Sequence, residues 1–425
     1  MSHVLIIAVG SRGDVEPYTG VGAGLRAVGH RVTIAADREF EHLVTGTGLE
    51  FRPLWTQLSS KSGAVNETSQ NYTRNGLFSR NGMDMIAAAR QFIRETNINV
   101  AEIAADPSVD VVLFNGLGAA AYHVAQARGI PSVGLHLQPQ LPTADFPPMV
   151  FGTSLGRLGI RAAWVAHRLT ERSMFGNINE IRAQHGLPPT TYGATRREQA
   201  ASAWPVLHGF SQYVVPRPRE WRPGVEVVGY WWPSVPASWT PPEKLRRFLD
   251  AGPAPVFVGF GSADPGDAAR VSGIVAGALR SVGRRGIIQT GWAGLAVEDD
   301  DVLTIGEVPH AWLFPRMAVV VHPGGAGTTA AGLRAGVPAV PVPMTGDHPF
   351  WAARLTALGV SPGPVPFKHL TKDRLADAIR AAVDEPRYER AAKSIAAKVA
   401  TEDGAAEVAH VVERLDQRGV SRPAG

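Results

Sequence analysis

Short runs of apolar residues alternate along this chain with longer segments in which apolar residues recur every three or four positions. The first run, residues 4–9, precedes a polar, glycine-containing turn and then apolar positions at Tyr18, Val21 and Leu25, which share one helical face. A second run at residues 31–35 completes a strand–helix–strand unit. Because such units cross over in a right-handed sense, the pattern predicts a parallel sheet. Further strands are predicted at residues 109–114, 131–135 and 213–215.

The same alternation restarts in the second half of the chain. After a strand pattern at residues 255–259, apolar residues at Val271, Val275 and Leu279 mark one face of a helix. The halves together predict an α/β fold with two doubly wound, Rossmann-like domains that face each other across a cleft, with ligands at the carboxyl ends of the strands. Later strands are predicted at residues 286–289, 302–305, 318–322 and 339–343, and closing helices at 372–383 and 388–399.

The segment between the halves has a composition of its own. Residues 216–242 contain seven prolines and four tryptophans, which is typical of a stiff linker packed against its neighbours. We therefore expect one domain at residues 1–215, a second at 243–401, and a tail at 402–425 that packs back on the first domain. Residues 59–81 are polar and rich in glycine, serine and asparagine, which predicts a long loop over a site.

Composition narrows the class of protein. A chain of 425 residues is long enough for two or three globular domains, and a formal charge of +4 gives little reason to expect a nucleic-acid partner. Cysteine is absent, which excludes disulfides and thiolate metal sites. No apolar run reaches the roughly 18 to 20 residues of a membrane span, and residues 4–9 follow no basic leader. We therefore expect a soluble, cytoplasmic protein that is a monomer or a weak homodimer.

One glycine-rich turn carries the strongest chemical signal. Residues 322–329 read His-Pro-Gly-Gly-Ala-Gly-Thr-Thr and lie between an apolar run and a short helix that is predicted to end at Gly336. A helix that begins directly after a strand presents bare N–H groups and the positive end of its dipole, which together bind phosphate. An ordinary tight turn would explain the glycines alone. The added histidine and threonines favour a diphosphate site.

Four further motifs accompany this turn in a fixed order. Gly-Ser-Arg-Gly-Asp-Val-Glu-Pro occupies residues 10–17, Gly-Phe-Gly-Ser occupies 259–262, Val-Pro-His precedes Trp-Leu-Phe within 308–314, and Gly-Asp-His-Pro-Phe-Trp occupies 346–351. Each motif is weak alone, but the ordered set resembles the family 1 nucleotide-sugar glycosyltransferases, which have the two-domain GT-B fold. The branch that the set resembles most contains bacterial macrolide and glycopeptide glycosyltransferases and sterol 3-β-glucosyltransferases.

The resemblance implies that the second domain holds a UDP- or dTDP-sugar and that the first holds the acceptor. Val308 would bind the edge of the base, near Trp292 or His310. Gly261 and Ser262 would lie on the opposite side of the diphosphate. The groups expected to bind the diphosphate itself are the His322 side chain and the turn formed by Gly324, Gly325, Ala326, Gly327, Thr328 and Thr329.

The sugar would be held by the next motif. The resemblance assigns Asp347 and His348 to the sugar hydroxyls, but relatives that use glucose usually carry glutamine at the second position, which leaves the sugar open. It implies no metal, since the helix dipole and His322 would replace a cation. The acidic run at residues 298–301 is interpreted as a solvated charge cluster.

Transfer with inversion needs a base for the acceptor hydroxyl. Asp14 lies on the loop after the first strand, where the resemblance puts the catalytic carboxylate, while Ser11 and Arg12 would reach the diphosphate from the first domain. His322 and the helix N-terminus would stabilise the leaving group. On local sequence alone, Asp14 is equally well explained as the N-cap of the following helix.

The acceptor site is the least specific part of the sequence. Residues 136–139 and 146–149, with Met83, Met85 and Phe92, could line an apolar pocket for a lipophilic acceptor such as a sterol, macrolide or polyphenol. Each of them is explained equally well as a core residue. The sequence therefore predicts a hexosyltransferase but does not choose its acceptor.

Two alternatives remain open at this point. A nucleotide-sugar epimerase of the same fold would need no acceptor pocket. A non-catalytic helper of a partner glycosyltransferase could dispense with Asp14, His322 and Asp347, so their joint presence argues for an enzyme.

Overall fold

The chain forms two parallel sheets, each covered by helices on both faces. The computed structural model of the protein describes residues 1–55, 80–149, 156–173, 175–236, 238–261, 263, 266–291 and 294–420, with the backbone alone at 80–87, 170, 173 and 418–420. Alternate residues of the first strand enter two different cores: Val4 and Ile6 join one, Leu5 and Ile7 the other. A strand with two buried faces needs continuous apolar sequence, which explains the unbroken runs.

The first sheet has seven parallel strands in the order β3-β2-β1-β4-β5-β6-β7. The order reverses between β1 and β4, and the carboxyl ends of those two strands flank the point at which ligands bind in such sheets. The strands are β1 (His3–Ile7), β2 (Arg31–Ala36), β3 (Glu50–Pro53), β4 (Val111–Phe114), β5 (Ser132–His136), β6 (Val206–His208) and β7 (Val225–Val227).

The second sheet has five parallel strands in the order β10-β9-β8-β11-β12, and its order reverses between β8 and β11. The glycine-rich motif at residues 322–329 covers the end of β11, a turn at residues 323–325 and the start of the helix Ala326–Ala335, and it therefore lies at this reversal. The strands are β8 (Val256–Gly259), β9 (Gly286–Gln289), β10 (Val302–Ile305), β11 (Val319–His322) and β12 (Ala339–Pro341).

The helices lie mainly between successive strands. In the first half they are α1 (Arg12–Ala27), α2 (Glu41–Thr45), α3 (Arg80–Ala104), α4 (Ala120–Arg128), α5 (Gly156–Ser173), α6 (Ile178–Gln184) and α7 (Tyr192–Ala201). In the second half they are α8 (Glu243–Asp250), α9 (Ala268–Ser281), α10 (His310–Leu313), α11 (Ala326–Ala335), α12 (His348–Ala357), α13 (Lys372–Asp384), α14 (Pro386–Val399) and α15 (Gly404–Val420).

The two domains share a hydrophobic cluster at their junction. Phe210 and Val214 of the first domain belong to the same buried cluster as Phe350 and Trp351 of the second, and the guanidinium of Arg354 donates to the carbonyl of Val214 at 2.8 Å. At the end of the chain, α15 packs along α1 within the core of the first domain. The chain thus leaves the first domain once and returns to it.

Two regions of the structure differ from the sequence expectations, and a third lies mostly outside the described residues. The strand predicted at residues 213–215 is wrong, because the N–H groups of Val214 and Val215 bond back to the carbonyl of Ser211 (3.0 and 2.9 Å) and form a turn. These apolar residues are buried by the domain junction and not by a sheet. Strand β7 and the buried Trp231 lie within the segment interpreted as a linker. The loop expected at residues 59–81 lies outside the described residues up to 79, and residues 80 and 81 begin α3.

Candidate active site

Asp14 lies at the first of the two glycine-rich turns, where β1 passes into α1. Ser11 is the N-cap of this helix and Asp14 is its third residue, so Asp14 is not the cap that local sequence allowed. Its Oδ2 accepts hydrogen bonds from the backbone N–H of Ser11 at 2.9 Å and from the Ser11 hydroxyl at 3.0 Å. Gly10, at φ +142°, leaves room for this carboxylate, since a side chain there would collide with it.

The electrostatic surroundings of Asp14 favour proton uptake. Burial raises the pKa of the Asp14 carboxyl, the two hydrogen bonds from Ser11 partly oppose this effect, and the negative charge of Asp347 in the other domain adds to it. The two carboxylates therefore lie close enough to interact across the cleft.

His322 ends β11, and its ring is 1% exposed. Its Nδ1 accepts a hydrogen bond from the N–H of Gly324 at 3.1 Å, so in the neutral ring the proton is on Nε2. Burial is the main cause that lowers the pKa of His322 to about 3, with His348 and His310 adding to it. Nε2 has no hydrogen-bond partner among the described residues. A neutral, buried N–H donor of this kind suits an anionic ligand.

The helix that follows supplies further donors. Gly325 is the N-cap of α11 and carries no side chain that could cap the first turn. The N–H of Ala326 is directed at the carboxylate of Asp347, which leaves the N–H groups of Gly327 and Thr328 for a ligand. The N–H of Thr329 is already bonded to the carbonyl of Gly325 at 3.0 Å, so the donors come from the residues before it. Gly324, at φ +100°, lies against the carbonyl of His348, where an added Cβ would approach to 2.9 Å.

Asp347 precedes α12, on the second domain's side of the cleft. Its Oδ2 accepts hydrogen bonds from Trp351 Nε1 and from Gln138 Nε2 of the first domain, both at 2.8 Å. Burial raises the pKa of Asp347, while the bonds from Trp351 and Gln138 lower it. The neighbouring ring of His348 accepts from the N–H of Met344 at 3.4 Å, and burial lowers its pKa to about 4. The structure thus brings Asp347 to the same cleft as Asp14 and His322.

Arg12 makes a second connection across the cleft. Its guanidinium donates to Glu16 on α1 at 3.1 Å and also forms an ion pair with Glu307, which directly precedes Val308. The sequence suggested a diphosphate contact for Arg12, whereas in this structure its donors are directed to these two glutamates.

The other nucleotide candidates that the structure describes follow two strands of the second sheet, β8 and β10. Val308 is buried, and His310 stacks on Phe314 with ring centroids 4.2 Å apart, an arrangement in which burial lowers the pKa of His310 to about 4. Gly261, at φ +58°, follows β8. The candidates Ser262 and Trp292 lie outside the described residues.

A cavity of about 430 Å³ in the first domain reaches Asp14. Predicted acceptor residues that line it include Phe92, Pro148, Met149 and the segment 136–139, whereas Phe146 packs against Phe350 at the domain junction. The side chains of the candidates Met83 and Met85 lie outside those described. The rest of the apolar wall comes from α3, α5, α6 and the loop after β4.

Sequence reasoning missed Asn115, which lines the cavity and fixes the loop that carries Asp14. Its side chain donates to the carbonyl of Val9 at 2.7 Å and accepts from the N–H of the same residue at 3.4 Å. The available signal was its position directly after β4, the strand beside β1 at the reversal of strand order.

Known proteins match the chain along most of its length. A model of the "Glycosyltransferase family 28 N-terminal domain" matches residues 4–144, and a model of the "Erythromycin biosynthesis protein CIII-like, C-terminal domain" matches residues 291–415. The O-mycaminosyltylonolide 6-deoxyallosyltransferase of Streptomyces fradiae is 33% identical over 419 residues and is matched over 97% of both chains. The chain belongs to the glycosyltransferase family that includes this deoxyallosyltransferase. The resemblance read from the five motifs is thereby confirmed.

Other relatives of the chain are longer than it is. A sterol 3-beta-glucosyltransferase of Arabidopsis thaliana is 32% identical over 419 residues, which cover 95% of this chain but 64% of that relative. Among solved structures, the glycosyltransferase of kitacinnamycin aligns with a TM-score of 0.71 at 20% identity, over 97% of this chain and 99% of the other. Glycosyltransferase VinC in complex with dTDP aligns with a TM-score of 0.68 at 20% identity, over 98% and 100%. These structures confirm the expected GT-B fold.

No described helix is both long and apolar enough to cross a membrane. Among the same residues, no group of three or more histidine, aspartate or glutamate side chains is arranged to hold a metal ion.

Proposed function

We propose that this glycosyltransferase chain moves a hexose from a UDP- or dTDP-sugar to a hydroxyl of a lipophilic small molecule, with inversion at the anomeric carbon. The observation that carries the proposal is that a half-buried carboxylate and a buried, unpartnered N–H donor lie at one cleft. Asp14 comes from the first domain and His322 from the second.

The donor would bind to the second domain, residues 243–401. The diphosphate would lie at the first turn of α11, where Nε2–H of His322 and the N–H groups of Gly327 and Thr328 would donate to it. Val308 and His310 would hold the base, and Asp347 with His348 the sugar. No cation is needed for this arrangement, since the donors and the helix dipole offset the charge of the diphosphate. The solved complex of VinC with dTDP supports a nucleoside diphosphate as the ligand of this fold.

The acceptor would occupy the cavity in the first domain, residues 1–215. Its wall is mainly aliphatic and aromatic, and Asp14 is one of its charged residues. A lipophilic acceptor with one hydroxyl directed at Asp14 fits this distribution. The names of the relatives, which act on a sterol or on a macrolide, support that class of acceptor.

The reaction is then a single displacement. The acceptor oxygen forms its bond to the anomeric carbon as its proton passes to the Asp14 carboxylate, and the bond from that carbon to the diphosphate oxygen breaks on the opposite face. The electron pair of the broken bond goes to the diphosphate, where His322 and the helix N-terminus stabilise the charge. Because attack and departure occur on opposite faces, the anomeric configuration inverts.

The cavity also helps to distinguish the proposed function from the two alternatives, an epimerase and a non-catalytic helper. An epimerase would not need an apolar pocket beside its carboxylate, and a non-catalytic helper would not need a base with a raised pKa beside an unpartnered phosphate donor. Neither alternative is favoured by a feature of its own.

The direct test incubates the protein with a panel of nucleotide sugars and a mixed library of sterols, macrolides and polyphenols, with products read by mass spectrometry. We expect a hexosylated acceptor with wild-type protein and a strongly reduced yield with Asp14→Asn. Release of an epimer or free sugar without any glycoside would reject the proposal.

A further inference from the structure

Helix α5 forms part of the wall of the acceptor cavity. On its inner face, Trp164 is 4% exposed and donates to the carbonyl of Phe146 at 2.9 Å. His167 and Glu171 on the same face line the cavity, and Glu171 accepts a hydrogen bond from the hydroxyl of Tyr192. The inner face of α5 is therefore occupied by contacts with the rest of the first domain and by the lining of the cavity.

The outer face carries an apolar stripe. Leu158, Val165 and Leu169 are 81%, 59% and 64% exposed. At about 100° per residue, the seven- and four-residue steps between them keep the three side chains within a sector of about 40°. They are three of a small number of large apolar side chains that the described residues expose, and they share one helix face. Isolated exposure is ordinary, but an aligned stripe on one helix is a feature of interaction surfaces.

Arginines flank this stripe. Arg161, Arg168 and Arg172 are exposed and lie within about 80° of Leu158 on one side of it, with Arg157 beyond them. The helix contains these four arginines and a single acidic residue, Glu171, which faces inward. Outside this helix, the positive charges of Arg161 and Arg157 act on the carboxylate of Glu220, which already accepts hydrogen bonds from Thr143 and Ala144. The outer face is thus both apolar and strongly positive.

We propose that this outer face of α5 binds an anionic lipid surface. A helix with an aliphatic stripe bordered by arginines can lie in the plane of a membrane, with the stripe among the acyl chains and the guanidinium groups at the lipid phosphates. A protein partner is a poorer fit, because leucine and valine are under-represented among the anchors of protein interfaces and the stripe contains no tryptophan or tyrosine. The charge of the face selects anionic lipid over neutral lipid.

This position has a consequence for the acceptor. The same helix would contact lipid with one face and the cavity with the other, so a lipophilic acceptor would leave the membrane beside its binding site. That consequence rests on the proposed function, whereas binding to lipid does not.

The test uses the full chain without substrates and measures co-sedimentation with vesicles of phosphatidylcholine alone and of phosphatidylcholine with phosphatidylglycerol. We expect binding to the anionic vesicles that weakens as salt is added, because the arginine contribution is screened. Arg161→Gln combined with Arg168→Gln should lower the partition coefficient roughly tenfold to thirtyfold, as expected for two arginines at an anionic surface. Leu158→Ser with Val165→Ser and Leu169→Ser should abolish the binding.

Control variants replace exposed arginine and valine residues elsewhere. Arg374→Gln with Arg390→Gln, in the second domain, and Val28→Ser with Val235→Ser should leave vesicle binding unchanged. No binding by the wild-type chain, equal binding to both vesicle types, or an equal loss in the controls would overturn the proposal. Self-association that the serine variant abolishes, without vesicle binding, would also overturn it and would assign the face to a second copy of the chain. Thermal unfolding of each variant shows whether it is folded.

Discussion

The role of Asp14 can be tested by a substitution that preserves its structural contacts. In Asp14→Asn the amide oxygen can still accept the two hydrogen bonds that Ser11 now donates to Oδ2, at 2.9 and 3.0 Å. The substitution removes a negative charge from the first turn of α1, which costs about 0.3 to 1 kcal/mol of stability. Loss of the raised-pKa carboxyl group offsets part of that cost, since burial disfavours its charge. The variant should therefore fold.

The effect on catalysis should be far larger. Asparagine cannot accept the proton of the acceptor hydroxyl, and loss of a positioned base typically slows reaction by a factor on the order of 10² to 10⁴. That range corresponds to about 2.7 to 5.4 kcal/mol of transition-state stabilisation. Donor affinity should change little, because the proposed contacts to the base and the diphosphate lie in the second domain. The assay is kcat and KM for transfer beside calorimetric donor binding and thermal unfolding, on one preparation.

The pH dependence supplies an internal check with a known sign. Only the ionised carboxylate accepts a proton, so kcat/KM of the wild type should fall as the pH falls through the raised pKa of Asp14. Ser11→Ala keeps the carboxylate but deletes a hydrogen bond that lowers this pKa, so the acidic limb should move to higher pH. Transfer by Asp14→Asn at nearly the wild-type rate, or an acidic limb that does not move in Ser11→Ala, would refute the assignment.

Three further predictions follow from the cleft. His322→Ala should cost ~3 kcal/mol of transition-state stabilisation in steady-state kinetics. Because burial lowers the pKa of His322 to about 3, the contribution of His322 to diphosphate binding, measured by calorimetry, should be constant from about pH 5 to 8. A folded variant with unchanged kinetics would contradict this role. Gln138→Leu removes the 2.8 Å hydrogen bond to Asp347 and should raise the KM for the donor severalfold, while the affinity for dTDP or UDP stays constant. A parallel loss of nucleotide affinity would contradict this prediction. Gly324→Ala should lower the free energy of unfolding by about 1 to 3 kcal/mol in denaturant titrations, because Gly324 has a φ of +100° and lies against the carbonyl of His348. An unchanged midpoint would show that the turn adapts.

Predictions from the sequence are most accurate for elements whose residues are consecutive in the chain. The strands predicted at residues 286–289 and 302–305 have those same bounds in the structure, and the helix after the glycine-rich turn ends before Gly336, which adopts φ +69°. Burial on both faces of a parallel sheet leaves a continuous apolar run that a reader of the sequence can detect. The turn at residues 322–329 was recognisable for the same reason, since its strand, glycines and helix are consecutive.

Contacts between distant segments were not accessible in this way. The hydrogen bond from Gln138 to Asp347 joins residues 209 positions apart, and the ion pair of Arg12 with Glu307 joins residues 295 apart. No periodicity encodes such pairs, because they depend on how the two domains are placed. The apolar residues Val214 and Val215 wrongly predict a strand for the same reason. An apolar run indicates that its residues are buried, but it does not indicate which neighbour buries them.

The measurement that tests the central claim most directly is the anomeric configuration of the product. A nucleotide hexose with an α linkage is incubated with the wild-type protein and an acceptor that it accepts, and the anomeric proton of the purified glycoside is assigned by NMR. A single displacement with Asp14 as the base predicts a β-glycoside and no other anomer. An α-glycoside, or an epimerised nucleotide sugar in place of any glycoside, would contradict it.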